Sequence, residues 1–158
     1  MNSLVEKEFL IAQFEKGESL YNRTPIMKQE LPKDIGSTYI EIDLKEQHLW
    51  FYENGELVSE TDVVTGDAIK NRNTPTGVYF ISEKINGKYL TGRDYKTWVN
   101  KWMRLTNSGV GLHDAGWRRS FGGDIYKGNG SHGCINLPKQ YAYELFKQVY
   151  TKMPVIIY

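Results

Sequence analysis

The 158-residue chain contains one cysteine, Cys134, and three histidines. A single cysteine excludes an intramolecular disulfide framework and a zinc site built from several cysteines. The formal net charge is +1, so the molecule lacks the positive charge that attracts nucleic acid. No signal peptide is visible in this sequence, and no apolar run approaches the roughly 18–20 residues of a membrane span. We therefore expect no nucleic-acid partner, and either a cytoplasmic protein or an extracytoplasmic domain anchored upstream.

Charge and glycine are distributed unevenly along the chain. Residues 38–87 carry an acidic surplus and residues 88–127 a basic surplus, and most of the 15 glycines lie between Gly77 and Gly133. The basic stretch would favour a substrate that bears carboxylates, although solvated loop residues give the same pattern. Hydrophobic residues make up 40% of the chain and charged residues 25%. These values are typical of a globular domain.

The hydrophobic pattern predicts a mainly β domain. Alternating or β-rich runs predict strands over residues 39–44, 47–52, 57–65, 78–84, 110–113 and 153–158. Asn54-Gly55 and Asn86-Gly87 are predicted to form hairpin turns, because both central positions of a type I′ turn need positive φ. Residues 114–133 are predicted to form a long glycine-rich loop.

Helices are predicted only near the two ends of the chain. Residues 138–151 are typical of an amphipathic helix, with Asn136 as its cap and Pro138 in its first turn. Residues 4–16 are predicted to form a short amphipathic helix, and residues 18–37 a linker.

The chemically informative segment runs from His113 to Pro138 and holds two histidines and the cysteine. A cysteine nucleophile needs a base, and histidine suits this role because its ordinary pKa lies near neutrality. A lone cysteine is most often a core residue. Cys134, however, stands among Gly, Ser, His and Asn rather than in an apolar stripe, which favours a functional role. Gly133 permits a tight backbone path, so that the amides of Gly133 and Cys134 could point into one site.

A metal site is the weaker interpretation of the same residues. His113, His132 and Cys134 offer three potential ligands. However, His132 and Cys134 are only two positions apart, and no fourth ligand follows at a familiar zinc spacing. We therefore predict no metal site.

Ser131-His132-Gly133-Cys134-Ile135-Asn136, with 17 residues between His113 and Ser131, resembles the signature of the L,D-transpeptidase catalytic domain of the YkuD type. Residues 73–79 (NTPTGVY) resemble the family's Thr-Pro-x-Gly-x-aromatic element, and residues 39–66 resemble its opening strands. The resemblance covers about residues 38–158, which we predict to form the catalytic domain. Residues 1–37 are predicted to be a lead-in or linker, or the remnant of an upstream domain.

The resemblance implies a fold and a setting. The family's fold is a β-sandwich or barrel-like domain with a mixed sheet and a lid beside the site, and residues 92–108 are the candidate lid. Its members cross-link bacterial peptidoglycan. This implies peptidoglycan stem peptides as partners, carbapenems as covalent inhibitors, no metal or organic cofactor, and a monomer. It also implies an extracytoplasmic location, with a membrane or wall anchor outside this chain.

The resemblance also implies catalytic roles. Cys134 would attack the third-residue carbonyl of a donor tetrapeptide stem, release D-alanine, and pass the acyl group to the side-chain amine of an acceptor stem. His113 would be the base, oriented by the backbone carbonyl of Asp114 or by its carboxylate. The alternative for that carboxylate is a loop salt bridge with Arg118 or Arg119. His132 and Gly133 would support the oxyanion region or hold the loop.

Five residues are predicted to contact substrate: Ser131, Asn136, Trp102, Trp117 and Arg118. Ser131 is also expected to hydrogen bond within its loop. Asn136 is expected to fix the turn before the helix, or simply to cap that helix. For the tryptophans the alternative is ordinary packing in a β domain.

Other functions remain as alternatives. Water as the acceptor would give an L,D-carboxypeptidase, and another acceptor would attach a protein or a D-amino acid. A catalytically silent wall-binding domain would have no need for the intact set of His113, Ser131, His132, Gly133 and Cys134. A papain-like protease or wall amidase normally places its cysteine early and before its histidine, the reverse of the order here.

Overall fold

The computed structural model describes residues 35–158. The predicted helix over residues 4–16, and the predicted linker as far as residue 34, lie outside the described residues. The elements of the described part, in chain order, are β1 (Tyr39–Asp43), β2 (His48–Glu53), β3 (Glu56–Asp62), β4 (Gly77–Phe80), β5 (Glu83–Thr91), β6 (Lys96–Arg104), β7 (Gly111–Asp114), β8 (Ile135–Leu137), α1 (Lys139–Gln148) and β9 (Pro154–Ile157).

The strands form two mixed sheets. The first has the order β3-β2-β1-β9-β4, with β1 and β9 parallel, and the second has the order β5-β6-β7-β8, with β7 and β8 parallel. The chain passes from the first sheet to the second at Ile81 and Ser82: the Ile81 N–H bonds to the Met153 carbonyl, and the Ser82 N–H to that of Arg104. The predicted mainly β fold with a mixed sheet is confirmed.

The main core is built by alternation along the strands. Ile40 and Ile42 of β1 lie opposite Phe51 and Leu49 of β2, and all four side chains are fully buried. Full burial of one such side chain stabilises the fold by about 1.5–3 kcal/mol. Helix α1 adds Ala142 and Leu145 to the same cluster, together with residues of β7, β8 and β9. The described residues contain no helix long and apolar enough to cross a membrane.

One of the two predicted hairpin turns forms. Asn54 and Gly55 join β2 to β3 with φ values of 52° and 81°. Asn86-Gly87 does not form a turn, because both residues lie inside β5, where Asn86 pairs with Lys101 of β6. Gly87 does have a positive φ of 76°. The dipeptide thus indicates the backbone conformation correctly, but the actual hairpin closes further on, between Thr91 and Lys96.

Two other predictions are corrected. The strand predicted over residues 78–84 is divided between β4 and β5. The predicted helix cap is wrong because Asn136 lies in β8, and the helix begins at Lys139 after Pro138, which makes no side-chain capping bond. Asn136 is not available as a cap because its side-chain amide contacts His113 of β7 and Arg118 of the loop between β7 and β8.

The parallel pair β7–β8 positions the site. His113 of β7 lies beside Asn136 of β8, and Cys134 immediately precedes β8. Between these strands runs the predicted glycine-rich loop. The topology therefore brings the two ends of that loop, with the histidine and the cysteine, to one edge of the second sheet.

Candidate active site

A cavity of about 220 Å³ is lined by three of the predicted catalytic residues, His113, His132 and Cys134, but not by Asp114 or Gly133. Strands β5 and β6 and the turn between them contribute one wall, and the loop before β8 contributes the other. The cavity is lined by Leu90, Tyr95, Thr97, His113, Trp117, Arg118, Gly130, Ser131, His132, Cys134 and Asn136. The histidine and cysteine singled out from the sequence therefore share one cavity, together with four of the five predicted substrate-contacting residues.

Ser131 organises the backbone at the cysteine. Its Oγ donates to the Cys134 carbonyl at 2.5 Å and accepts the Gly133 N–H at 3.1 Å, as expected of a bond within the loop. Gly133 has a φ of +132°, in the region that favours glycine. The expectation that the Gly133 amide points into the site is wrong, because this N–H is used by Ser131.

Thr74, which lies 59 positions before Gly133 in the chain, also holds this loop. Its side chain is 3% exposed, and its Oγ1 donates to the Gly133 carbonyl at 2.7 Å and accepts the Gly66 N–H at 2.9 Å. The sequence had marked Thr74 only as part of a family-like element. Its contact with Gly133 spans 59 positions, and no local pattern encodes that distance.

Replacing Thr74 by valine is expected to destabilise the protein by about 1–3 kcal/mol. Valine has nearly the same shape, but it leaves the buried Gly66 N–H and the Gly133 carbonyl unpaired. Chemical denaturation measures the loss. Thr151→Val, at an exposed turn position, is the matched control. Equal stability of the Thr74 variant and the wild type would contradict the role of Thr74 as a brace.

A buried carboxylate anchors the segment before Ser131. The Asp67 side chain accepts backbone N–H groups from Ile69, Lys70, Gly128 and Gly130 at 2.9–3.2 Å. Burial alone would raise the pKa of Asp67, but these four donors together outweigh it and hold the pKa below its ordinary value. At Gly130 a Cβ would lie 2.5 Å from the Asp67 Cα, so only glycine fits this approach.

The hydrogen bonds around His113 define its tautomer. The Nδ1 contacts the Asp114 carbonyl at 2.8 Å, and because a carbonyl only accepts, Nδ1 carries the proton. Arg118 Nε donates to the Asn136 Oδ1 at 2.9 Å, which turns the Asn136 Nδ2 toward the His113 Nε2 at 3.3 Å. The Nε2 therefore presents a lone pair. The predicted orienting role of the Asp114 carbonyl agrees with this geometry.

The Asp114 carboxylate makes neither of the contacts considered for it. It accepts the backbone N–H groups of Asn100 and Lys101 at 2.7–3.2 Å, and the Asn100 side-chain amide at 3.1 Å. It thus joins β7 to β6 rather than contacting the imidazole or forming a loop salt bridge. It acts on His113 through the position of the strand and through its charge, which opposes the lowering of the His113 pKa.

Burial sets the charge states of the catalytic pair. Burial lowers the pKa of His113, against the opposing effects of the Asp114 carbonyl and charge, and the nearby Arg118 lowers it further. Burial also raises the pKa of the Cys134 thiol, outweighing the Gly111 backbone N–H and the Arg104 charge. The two groups at rest are therefore a neutral imidazole and a thiol, and the Cys134 thiol donates to the Gly109 carbonyl at 3.4 Å.

Two tryptophans flank His113, each with its ring centre 6.0 Å from the imidazole. Trp117 is 53% exposed and lines the cavity. Trp102 is 1% exposed and donates its indole N–H to Glu83. The expectation that Trp102 contacts substrate is therefore corrected, because its ring is buried behind the imidazole.

The predicted lid over residues 92–108 is largely strand β6, and it borders the cavity through Tyr95 of the hairpin tip and Thr97 at the start of the strand. Tyr95 of this tip lies against His132, with ring centres 4.2 Å apart. His132 is exposed on the loop. Its partial burial is still the main cause that lowers its pKa, and the charges of Arg72 and Lys70 lower the pKa further. His132 thus contacts the hairpin tip, consistent with the expectation that it holds the loop. Among residues 35–158 no three His, Cys, Asp or Glu side chains are arranged to hold a metal ion.

Comparison with known proteins gives a family match and close structural relatives. The family model of the L,D-transpeptidase catalytic domain (YkuD) matches residues 37–157. No individually curated protein matches the chain. An Enterococcus faecium L,D-transpeptidase with a cysteine-to-serine substitution is 41% identical, with a TM-score of 0.76, over 78% of this chain and 50% of that one. The chain therefore spans about half the length of this relative.

Two further structures extend the likeness. The catalytic domain of the E. faecium enzyme acylated by ertapenem is 41% identical, with a TM-score of 0.69, over 78% of this chain and 98% of that one. An L,D-transpeptidase from Mycobacterium smegmatis is 26% identical, with a TM-score of 0.68, over 77% of this chain and 58% of that one. On the extent of the family match, the chain belongs to the L,D-transpeptidase catalytic-domain family.

Proposed function

We propose that this chain is a cysteine L,D-transpeptidase of bacterial peptidoglycan. The observation that supports it most is the presence in one cavity of the Cys134 thiol and an imidazole, His113, whose Nε2 carries a lone pair. A base with this tautomer can accept the thiol proton. The relative acylated by ertapenem is consistent with acyl-enzyme chemistry in the family.

The first half-reaction forms the thioester. The Asn136 amide releases the His113 Nε2, and the Cys134 thiol turns from the Gly109 carbonyl toward it. The thiol proton passes to the Nε2 as the sulfur bonds to the third-residue carbonyl carbon of the donor stem. The carbon–nitrogen bond to the terminal D-alanine then breaks, and the leaving amine takes the proton from the Nε2. The imidazole is neutral again, and the acyl group remains on Cys134.

The second half-reaction reverses these steps with a new amine. The side-chain amine of an acceptor stem gives a proton to the His113 Nε2 and bonds to the thioester carbon. The carbon–sulfur bond breaks, and the sulfur recovers the proton. In both halves negative charge develops on the carbonyl oxygen. Since the Gly133 N–H is committed to Ser131, we assign the stabilising donor to the backbone N–H of Cys134.

The substrate determines where the protein would act and what would block it. Peptidoglycan lies outside the cytoplasmic membrane, so we propose an extracytoplasmic location for the full-length protein. Carbapenems present a strained carbonyl to the same thiol, and we propose that they acylate Cys134.

Incubation with a disaccharide-tetrapeptide tests the proposal. We expect release of D-alanine together with a cross-linked dimer, both measured by mass spectrometry. Tripeptide without dimer would indicate an L,D-carboxypeptidase. No release of D-alanine, together with no carbapenem adduct, would contradict the proposal and indicate a catalytically silent wall-binding domain.

A further inference from the structure

The outer face of the β5–β6 hairpin carries two exposed aromatic rings that the proposed mechanism does not use. Trp98 is 48% exposed and Tyr89 is 53% exposed, and the two residues are cross-strand partners with ring centres 4.9 Å apart. Their chain neighbours Thr97 and Leu90 line the catalytic cavity. Because successive side chains of a strand point to opposite faces, the pair lies on the side of the hairpin away from the cavity.

Two contacts fix the Trp98 side chain on this face. Its indole N–H donates to the Asn100 Oδ1 at 3.0 Å, and its ring lies over Gly87. A Cβ at Gly87 would come within 2.7 Å of the ring, so glycine makes the room for the indole. About half of the Trp98 side chain remains exposed to solvent, at 48%. A ring fixed in this way has little side-chain entropy left to lose when a ligand stacks on it.

The surroundings of the pair are polar and positively charged. The Lys96 ammonium lies 4.4 Å from the centre of the Tyr89 ring, and within residues 35–158 it forms no salt bridge with a carboxylate. Arg93 and Asp94 in the hairpin turn are both exposed and offset one another. The two rings meet edge to face, at 71°, and Lys96 lies over the Tyr89 ring. The patch therefore combines the Trp98 ring with one cation beside it, which suits a polar ligand with a flat C–H face and a carboxylate.

We propose that Trp98, with the Tyr89 ring packed against it, forms a stacking platform for an amino-sugar ring of the peptidoglycan glycan strand. This inference rests on the proposed function, since the glycan is what carries the stem peptide. One face of a pyranose ring presents polarised C–H groups that complement the negative face of an indole. Lys96 is available to a carboxylate of the same polymer.

The exposed rings lie on the hairpin that forms one wall of the cavity, since Leu90 and Thr97 line the cavity and are the chain neighbours of Tyr89 and Trp98. A glycan strand bound on the outer face would therefore lie on the same hairpin that its stem peptide meets in the cavity.

Binding to a glycan oligosaccharide without stem peptides tests the platform. The probe is an oligomer of alternating N-acetylglucosamine and N-acetylmuramic acid, followed by tryptophan fluorescence or by the Trp98 indole N–H resonance. Trp98→Ala is expected to weaken binding by about tenfold. Trp98→Phe, which keeps a ring, should lose less. Tyr150→Ala removes an aromatic side chain of similar exposure, 52%, at the far end of α1, and should leave binding unchanged.

The outcomes separate this inference from the proposed function, because binding of a stem-free glycan requires no bond cleavage. Absence of binding by the wild type, or binding by folded Trp98→Ala within about twofold of the wild type, overturns the platform even if D-alanine is released from stems. Thermal unfolding of each variant shows whether the hairpin mutation leaves the domain folded. If Trp98→Ala unfolds, the comparison between Trp98→Phe and Tyr150→Ala decides, and equal affinities for these two overturn the platform.

Discussion

Replacement of Cys134 by alanine is expected to lower the rate of acyl transfer by several orders of magnitude. The chain contains no other thiol, so no second residue can form the thioester. Two measurements check this: D-alanine release from a disaccharide-tetrapeptide, and intact mass after incubation with a carbapenem. The wild type should gain one adduct and the variant none.

The fold should survive this substitution. Cys134 is partly exposed, and the hydrogen bond of its side chain goes to a backbone carbonyl, that of Gly109. The Ser131 and Thr74 contacts that hold the loop are made to backbone atoms and remain possible with alanine. Circular dichroism and thermal unfolding serve as the control. D-alanine release that persists in the folded variant would remove Cys134 as the nucleophile.

Replacement of His113 by alanine is expected to reduce kcat/KM by about 10²–10⁴-fold, the usual contribution of a general base. Because burial raises the pKa of the thiol, little thiolate exists at neutral pH without a base. His132→Ala is the matched comparison and should cost far less, since His132 is exposed and contacts Tyr95. Kinetics of carbapenem acylation measure both. A larger loss in His132→Ala would exchange the two roles.

The pH dependence distinguishes a base from a structural residue. Since the pKa of His113 is lowered, the neutral imidazole persists as the pH falls, and activity should be lost only below its ordinary value of about 6.5. In His113→Ala this acidic limb should vanish. The residual rate should instead rise with pH through the raised pKa of the thiol, as ionisation in solution replaces the base.

His113 is buried, so His113→Gln provides a second variant that keeps a polar group in its place. A profile of kcat/KM against pH is required for both variants. If either folded variant retains the acidic limb of the wild type, His113 is not the group that titrates there. Identical profiles in the wild type and His132→Ala would exclude His132 from proton transfer.

Local patterns in the sequence predicted the strands of the first sheet well. Alternation over Tyr39–Asp43 and the Asn54-Gly55 turn both correspond to observed structure, because each depends on neighbours a few positions apart. The second sheet was predicted less well. Residues 92–108 were assigned as the lid from the family resemblance. Strand β6 within them was not predicted, since its tryptophans and lysines do not alternate simply between buried and exposed positions. The turn predicted at Asn86-Gly87 is wrong because the positive φ of Gly87 occurs within strand β5.

The candidate site, like the fold, was predicted from the sequence only in part. The nucleophile and the choice of base came from residues within one segment of the sequence. The contacts that hold them came from elsewhere: Thr74 at Gly133, and Asp67 at Gly130, are separated by 59 and 63 positions. Trp102 was expected at the substrate because it is aromatic, and only its burial showed that it packs behind the imidazole.

The sequence by itself determined that one cysteine lies in a His-Gly-Cys segment downstream of a second histidine, since that information is local. The tertiary structure determined the chemical role of the individual atoms in the site. The bond from the His113 Nδ1 to the Asp114 carbonyl leaves the lone pair on the Nε2. The parallel pairing of β7 and β8 set Asn136 beside His113, and the Arg118 contact oriented the Asn136 amide toward that lone pair. Burial then fixed the protonation states, because desolvation depends on packing around the whole cavity and not on sequence neighbours.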